Sequence, residues 1–239
     1  VIQRKIRSGA VTIQFIQRDI EGFLFKLLLQ ESSQGDLISM TNLASCYRYG
    51  VGVEKNDAEA IRLYRTALDR GYKCAASLLG SCYEQGIGVE QNYEEAARFY
   101  RIGSDGGDLD SIANLGRLYE AGLGVAQNFE EAARLYRIGY EKGELESITR
   151  LALCYKEGKG VKKNLATAIR LLKFASDGGY LEATSQLGIC YESGIGVKQN
   201  LAQAVRLYQI ASDEGFLNAT CNLGVCYQEG TGVEQNYEE

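Results

Sequence analysis

Apolar residues in this 239-residue chain come in short helical stripes that return every 36 residues. In one copy Leu79, Gly80, Cys82 and Tyr83 supply i, i+3 and i+4 contacts on a single face, the periodicity of an α-helix. A second stripe, Ala96, Phe99, Tyr100 and Gly103, follows after a break and stops near Gly107. The break has a fixed form, Tyr-x-x-Gly-x-Gly-Val, beginning at Tyr47, Tyr83, Tyr119, Tyr155, Tyr191 and Tyr227 with no insertion. An Asn lies three residues after each Val, from Asn56 to Asn236, and a Leu four residues before each Tyr, from Leu43 to Leu223. Self-similarity at a fixed period of this length is the mark of a repeat architecture.

Each period predicts two helices. Gly86 ends the first, because the residue after a last turn commonly turns left-handed and Gly does so without a Cβ clash. Gly88 relaxes the turn and Val89 points back to the core. Asn92 then caps the second helix, and Glu95 closes a capping box, as Glu59, Glu131 and Gln203 do in other copies. Helices of about 13 residues are marginal alone, so each pair must bury its stripes against its neighbours. The prediction is an all-α solenoid over residues 36–239, with five full units and a truncated sixth. Residues 1–35 fit the period poorly. Ile20 to Gly35 overlay a second helix, with Leu24, Leu27 and Leu28 at apolar positions, which predicts a degenerate repeat or a capping helix. Arg4-Lys5-Ile6-Arg7 reads as the tail of an upstream domain.

Composition changes this picture little. Of 28 Gly, 24 occupy recurring positions, so the skew is one unit copied. The absence of His removes Ser-His-Asp and Cys-His nucleophile pairs and imidazole metal ligands. With 26 Lys and Arg against 31 Asp and Glu the net charge is −5, which carries no overall basic footprint for nucleic acid. The apolar stretch Phe23 to Leu29, interrupted only by Lys26, falls far short of the ~18 residues of a membrane helix. The expectations are therefore no cofactor, no nucleic acid and no membrane insertion, with a cytoplasmic location and no indication of oligomeric state. The first residue is Val1 and the last Glu239, so the chain reads as a segment of a longer protein.

Taken together, Ala75, Leu79, Gly80, Tyr83, Gly86, Gly88, Val89, Ala96, Tyr100 and Gly107 make a pattern that resembles the Sel-1-like repeat, a relative of the tetratricopeptide repeat. Departures are few: Ala44 and Ala152 stand for the small Gly, Leu118 for a Cys, and Leu172 for the Tyr of the second helix. The resemblance implies a right-handed α/α superhelix that serves as a protein-interaction scaffold.

Other chemistries are weaker. Cys46, Cys82, Cys154, Cys190 and Cys226 share one repeat position with Leu118, which predicts buried packing sites. Equivalent positions of stacked helices lie about 10 Å apart, beyond disulfide reach. Cys74 and Cys82 echo the spacing of a cysteine-rich branch of the family, but residues eight apart in one helix span ~12 Å. The Gly-x-Gly turns follow helices and not strands, so they are not read as phosphate loops. Glu94-Glu95 and Glu130-Glu131 fall in a first helical turn, where capping and the helix dipole account for them.

Binding chemistry is expected where copies disagree. By analogy with tetratricopeptide repeats, the first helix lines the concave groove through positions counted from the repeat Tyr. Position −6 holds Thr41, Ser77, Thr149 and Ser185; position −2 holds Ser45, Ser81, Arg117, Leu153, Ile189 and Val225. Position +1 holds Arg48, Glu84, Glu120, Lys156 and Glu192, a mixed rim that selects charged partners. Leu153, Ile189 and Val225 form an apolar ladder in this reading; the alternative is that curvature buries them between helices. The expected function is a non-catalytic adaptor for a protein or peptide. The alternative is the regulatory or targeting array of a larger signalling enzyme, such as a kinase, whose catalytic domain lies outside these residues.

Overall fold

The computed structural model describes residues 9–233, with side chains from residue 19 onward. Twelve α-helices and no strand occur among the described residues. They are α1 (Gly9–Ser33), α2 (Leu37–Tyr49), α3 (Asp57–Asp69), α4 (Ala75–Gln85), α5 (Tyr93–Asp105) and α6 (Leu109–Ala121). The series continues with α7 (Phe129–Glu141), α8 (Leu145–Glu157), α9 (Leu165–Asp177), α10 (Leu181–Ser193), α11 (Leu201–Asp213) and α12 (Leu217–Glu229). From α2 on, even-numbered helices are the first helix of a repeat (helix A) and odd-numbered ones the second (helix B). The described residues divide into two compact bodies, residues 9–111 with 123–125 and residues 112–122 with 126–233.

Local chemistry sets the helix boundaries. The C-caps of α2, α4, α8, α10 and α12 are glycines in the left-handed region, each donating its N–H to the carbonyl four residues back. Asn56, Asn92, Asn128, Asn164 and Asn200 cap the B helices, each side chain accepting the N–H three residues on. The expected capping box does not close. The Asn92 N–H is donated to the Tyr83 carbonyl at 2.8 Å, and the other four capping Asn do the same with their own repeat Tyr. With that donor spent, Glu59, Glu95 and Glu131 turn outward and pair with Arg62, Arg98 and Arg134. The second Gly of each turn does more than relax it. A Cβ on Gly88 (φ 66°) would lie 2.8 Å from the Asp57 Cβ, and one on Gly160 (φ 66°) would overlap the Phe129 carbonyl. These glycines let each turn rest on the first residue of the preceding helix B.

Helices A and B meet around a buried ring. Tyr100 and Tyr136 are 1% and 0% exposed, and each lies flat against a glycine of its helix A. A Cβ on Gly80 would come 2.5 Å from the Tyr100 ring, and one on Gly116 2.6 Å from the Tyr136 ring. Gly188 and Tyr208 repeat the arrangement. Within each body every A–B pair then packs on the next, α3 on α4 in the first, and α7 on α8, α9 on α10 and α11 on α12 in the second. The shared Cys position is buried at Cys46, Cys82, Cys154, Cys190 and Cys226, as is Leu118 in the third copy. Burial pushes these thiols up, Cys154 up to about 12. Cys74 is exposed at the N-cap of α4, which starts two residues later in the repeat than its siblings.

Helix α1, 25 residues long, packs on α2 where a helix B would lie. Leu28 is buried in the slot that Tyr64 fills one repeat later, and the Phe25 and Tyr47 rings meet edge to face at 5.5 Å. Its other side exposes Ile20, Phe23, Leu24 and Leu27, whereas Ala60 and Leu63, at the places of Leu24 and Leu27 one repeat later, are buried. Arg4 to Arg7 lie outside the described residues.

The glycine roles are separable by experiment. Gly143→Ala, where φ is 78° and nothing lies near the new Cβ, is expected to cost only the left-handed strain of about 1 kcal/mol. Gly160→Ala adds an overlap with the Phe129 carbonyl and should cost clearly more in urea unfolding. Equal losses would contradict the close approach.

Candidate partner-binding face

The residues at positions −6, −2 and +1 lie on the A helices, and the structure sorts them by what they touch. Position −6 faces inward. Thr41, Ser77, Thr149 and Ser185 are buried. Three of them return their hydroxyls to their own helix, Thr41 to the Leu37 carbonyl, Ser77 to that of Cys74 and Thr149 to that of Leu145. Their small size lets neighbouring helices approach.

Position +1 carries the acceptor for the buried ring. The Tyr100 hydroxyl donates to Glu84 at 2.8 Å, Tyr136 to Glu120 at 2.9 Å and Tyr208 to Glu192 at 2.7 Å. Burial first, and then the adjoining carboxylate, push the Tyr136 and Tyr208 phenols above the usual tyrosine range. The two cationic copies behave differently. Arg48 is buried and reaches across to the next helix A, donating to Ser81 and Gln85 at 3.3 Å. Its ring partner Tyr64 meets Ser45 instead, at 2.9 Å between oxygens. Lys156 donates to Gln186 of α10 at 3.0 Å, and the helix-B residue of that repeat is Leu172, which needs no acceptor.

Position −2 is where the copies diverge most. Ser45 and Ser81 are half-buried and occupied by the bonds just given, and Arg117 donates to Asn114 at 3.0 Å. In the second body Leu153 and Ile189 are half-buried and Val225 is 47% exposed. Ile189 also packs against the cluster around Tyr208 and Leu223. The three aliphatics thus share one position on α8, α10 and α12, with Lys156 and Glu192 beside the first two. Sequence reasoning missed Gln85, Gln186 and the bridge from Arg150 to Glu146 and Glu182. The available signal was that Arg150 and Gln186 occupy one repeat position, facing successive copies.

Among the described residues no group of three or more His, Cys, Asp or Glu is placed to hold a metal. No described helix is long and apolar enough to cross a membrane. What the fold and this face define is an α/α repeat array in which position −2 of helix A varies from copy to copy.

Comparison with known proteins gives the family. The Sel1 repeat pattern matches residues 37–72, 75–108, 109–144, 145–180, 181–216 and 217–239, and the chain belongs to the Sel1 repeat family. Proteins of this family are generally non-catalytic protein-interaction scaffolds. A Sel1 repeat protein from Oxalobacter formigenes is 27% identical with a TM-score of 0.85, over 96% of this chain and 92% of that one. The c5321 protective antigen of uropathogenic Escherichia coli, which has the same repeat fold, is 29% identical with a TM-score of 0.76. That match covers 89% of this chain but only 46% of the antigen. The immunity protein Pa5087 of Pseudomonas aeruginosa shares the fold at 23% identity and a TM-score of 0.56, over 78% of this chain and 71% of that one. Comparison with curated proteins finds no match.

The raised phenols fix a pH dependence. Above about pH 10 the unfolded chain releases tyrosine protons that the native state keeps, so stability falls as pH rises. Each such tyrosine steepens the fall by about 1.4 kcal/mol per pH unit. Tyr136→Phe should flatten the alkaline limb of a urea-stability profile. A limb unchanged by Tyr136→Phe would contradict the assignment.

Proposed function

We propose that the chain is a non-catalytic scaffold that holds a segment of a partner protein along the helix-A face. The docking strip is Leu153, Ile189 and Val225, with Lys156 and Glu192 as its polar edge. The observation that carries this reading is the contrast at position −2. Where that position is polar, Ser45, Ser81 and Arg117 are engaged in hydrogen bonds within the chain. Where it is aliphatic, the side chains on α8, α10 and α12 keep part of their surface in water. Apolar area left exposed at equivalent sites of consecutive helices favours a partner helix or extended segment that buries it. Family membership supports the protein-binding character, and the choice of face rests on the residues.

A photo-crosslinking residue at Ile189 is expected to capture a partner that one at Ile210, exposed on helix B, does not. Changing Leu153, Ile189 and Val225 together to Ser should weaken that partner by about tenfold or more while thermal unfolding stays close to the parent. A folded triple variant with unchanged affinity would sink the strip.

A further inference from the structure

We propose that the cleft beside the Gly-x-Gly turn of the fourth repeat binds an acidic segment of a protein partner. This open cleft, about 530 Å³, lies between helix α7 and the turn that leads into α9. Arg137 comes from the helix; Lys162 and Lys163 come from the turn. All three are exposed, and none has a carboxylate within 4 Å among the described residues. Some other exposed cations are paired: Lys159 holds Glu157 at 2.6 Å, and Arg62 and Arg98 hold the acid three residues before them. Three cations around one cleft are left without an acid.

The repeat supplies its own comparison, because clefts open beside the same turn in the first and fifth copies with different residues. At the places of Lys162 and Lys163 the other turns carry Glu54 and Lys55, Glu90 and Gln91, Ala126 and Gln127, or Lys198 and Gln199. At the place of Arg137 the other helices carry Leu29, Arg65, Arg101, Lys173 or Gln209. Only the fourth turn combines three positive charges, in a chain whose net charge is −5. The fold does not require them, since sibling turns form with Glu, Ala and Gln. Asn164, which caps α9, also lines the cleft, so the positive end of that helix adds to the field.

The form of the cleft favours a peptide over a small anion. Lysine ammoniums on flexible stems hold no fixed phosphate geometry, and Arg137 is the single planar fork. Tyr155 and Val161 line the same cleft and give the carbon stems of Glu side chains a surface to rest on. The cations would act mainly by steering and by salt-sensitive attraction. The inference rests on the scaffold reading only in taking the partner to be a protein, and its surface is separate from the helix-A strip.

The test uses the whole chain and a fluorescein-labelled hexaglutamate peptide, read by fluorescence anisotropy. The parent is expected to bind, with affinity falling steeply as salt rises. Arg137→Gln, Lys162→Glu and Lys163→Gln together, all residues that sibling copies hold, should weaken binding about tenfold or more with unchanged thermal unfolding. Lys198→Glu in the fifth repeat should leave it within about twofold, and inorganic phosphate should displace no more peptide than chloride at matched ionic strength. No binding by the parent, equal binding by the triple variant, equal loss in Lys198→Glu, or selective displacement by phosphate would each overturn the proposal. Crosslinking from Ile189 reads the helix-A strip independently, so failure of one reading is not failure of the other.

Discussion

The structure depends on seating an aromatic ring against a residue with no side chain, as the second, third and fifth repeats do. The ring of Tyr100, Tyr136 or Tyr208 occupies the space that a Cβ on Gly80, Gly116 or Gly188 would fill. Its hydroxyl reaches the last turn of the same helix A and donates to Glu84, Glu120 or Glu192. One residue thus fixes both how closely the two helices approach and where along helix A the contact falls. A buried phenol without an acceptor would cost on the order of 1–3 kcal/mol, so ring, glycine and carboxylate are required together.

The departures from the repeat obey the same constraint. The fourth copy carries Ala152, Lys156 and Leu172: a methyl instead of a hydrogen, a smaller aliphatic instead of the ring, and no carboxylate because no hydroxyl needs one. The first copy carries Ala44 and Arg48 but keeps Tyr64, whose hydroxyl meets Ser45. A second trade appears between adjacent repeats. Gly103 faces Ser111 and Gly139 faces Ser147, with a Cβ on Gly103 only 2.7 Å from that of Ser111. The equivalent positions elsewhere pair Ala67 with Ala75, Ala175 with Ala183 and Ala211 with Ala219, conserving volume across the contact. Copies that released their +1 position from the tyrosine place Arg48 or Lys156 there, and both reach the next helix A.

Much of this was legible from spacing alone. The helix ends follow from Gly and Asn at fixed offsets, and the buried cysteines from their exchange with Leu118. The capping box misled because sequence shows that Glu95 stands three residues after Asn92 but not that Tyr83 has already taken the Asn92 N–H. The +1 carboxylates read as a charged rim because their partner, Tyr100 for Glu84, is 16 residues away and acts only once the helices pack. The basic cleft was equally hidden. Arg137 and Lys163 lie in different copies of the repeat and meet only through the stacking of α7 on the turn before α9.

For binding, the consequence is a division of labour between positions. Side chains committed to the ring contact cannot vary freely, so the copies differ at positions that escape it, Leu153, Ile189, Val225 and the turns among them. The ring contact itself is tested most directly by a double-mutant cycle in the third repeat. Gly116→Ala alone and Tyr136→Leu alone should each lower stability to urea, the first by about 1–3 kcal/mol through overpacking. Combined, they recreate the Ala152–Leu172 pair of the fourth repeat, and the double variant should be more stable than the sum of the two losses by at least about 1 kcal/mol. Additivity within about 0.5 kcal/mol would show that ring and glycine do not act as one contact, and would contradict the account.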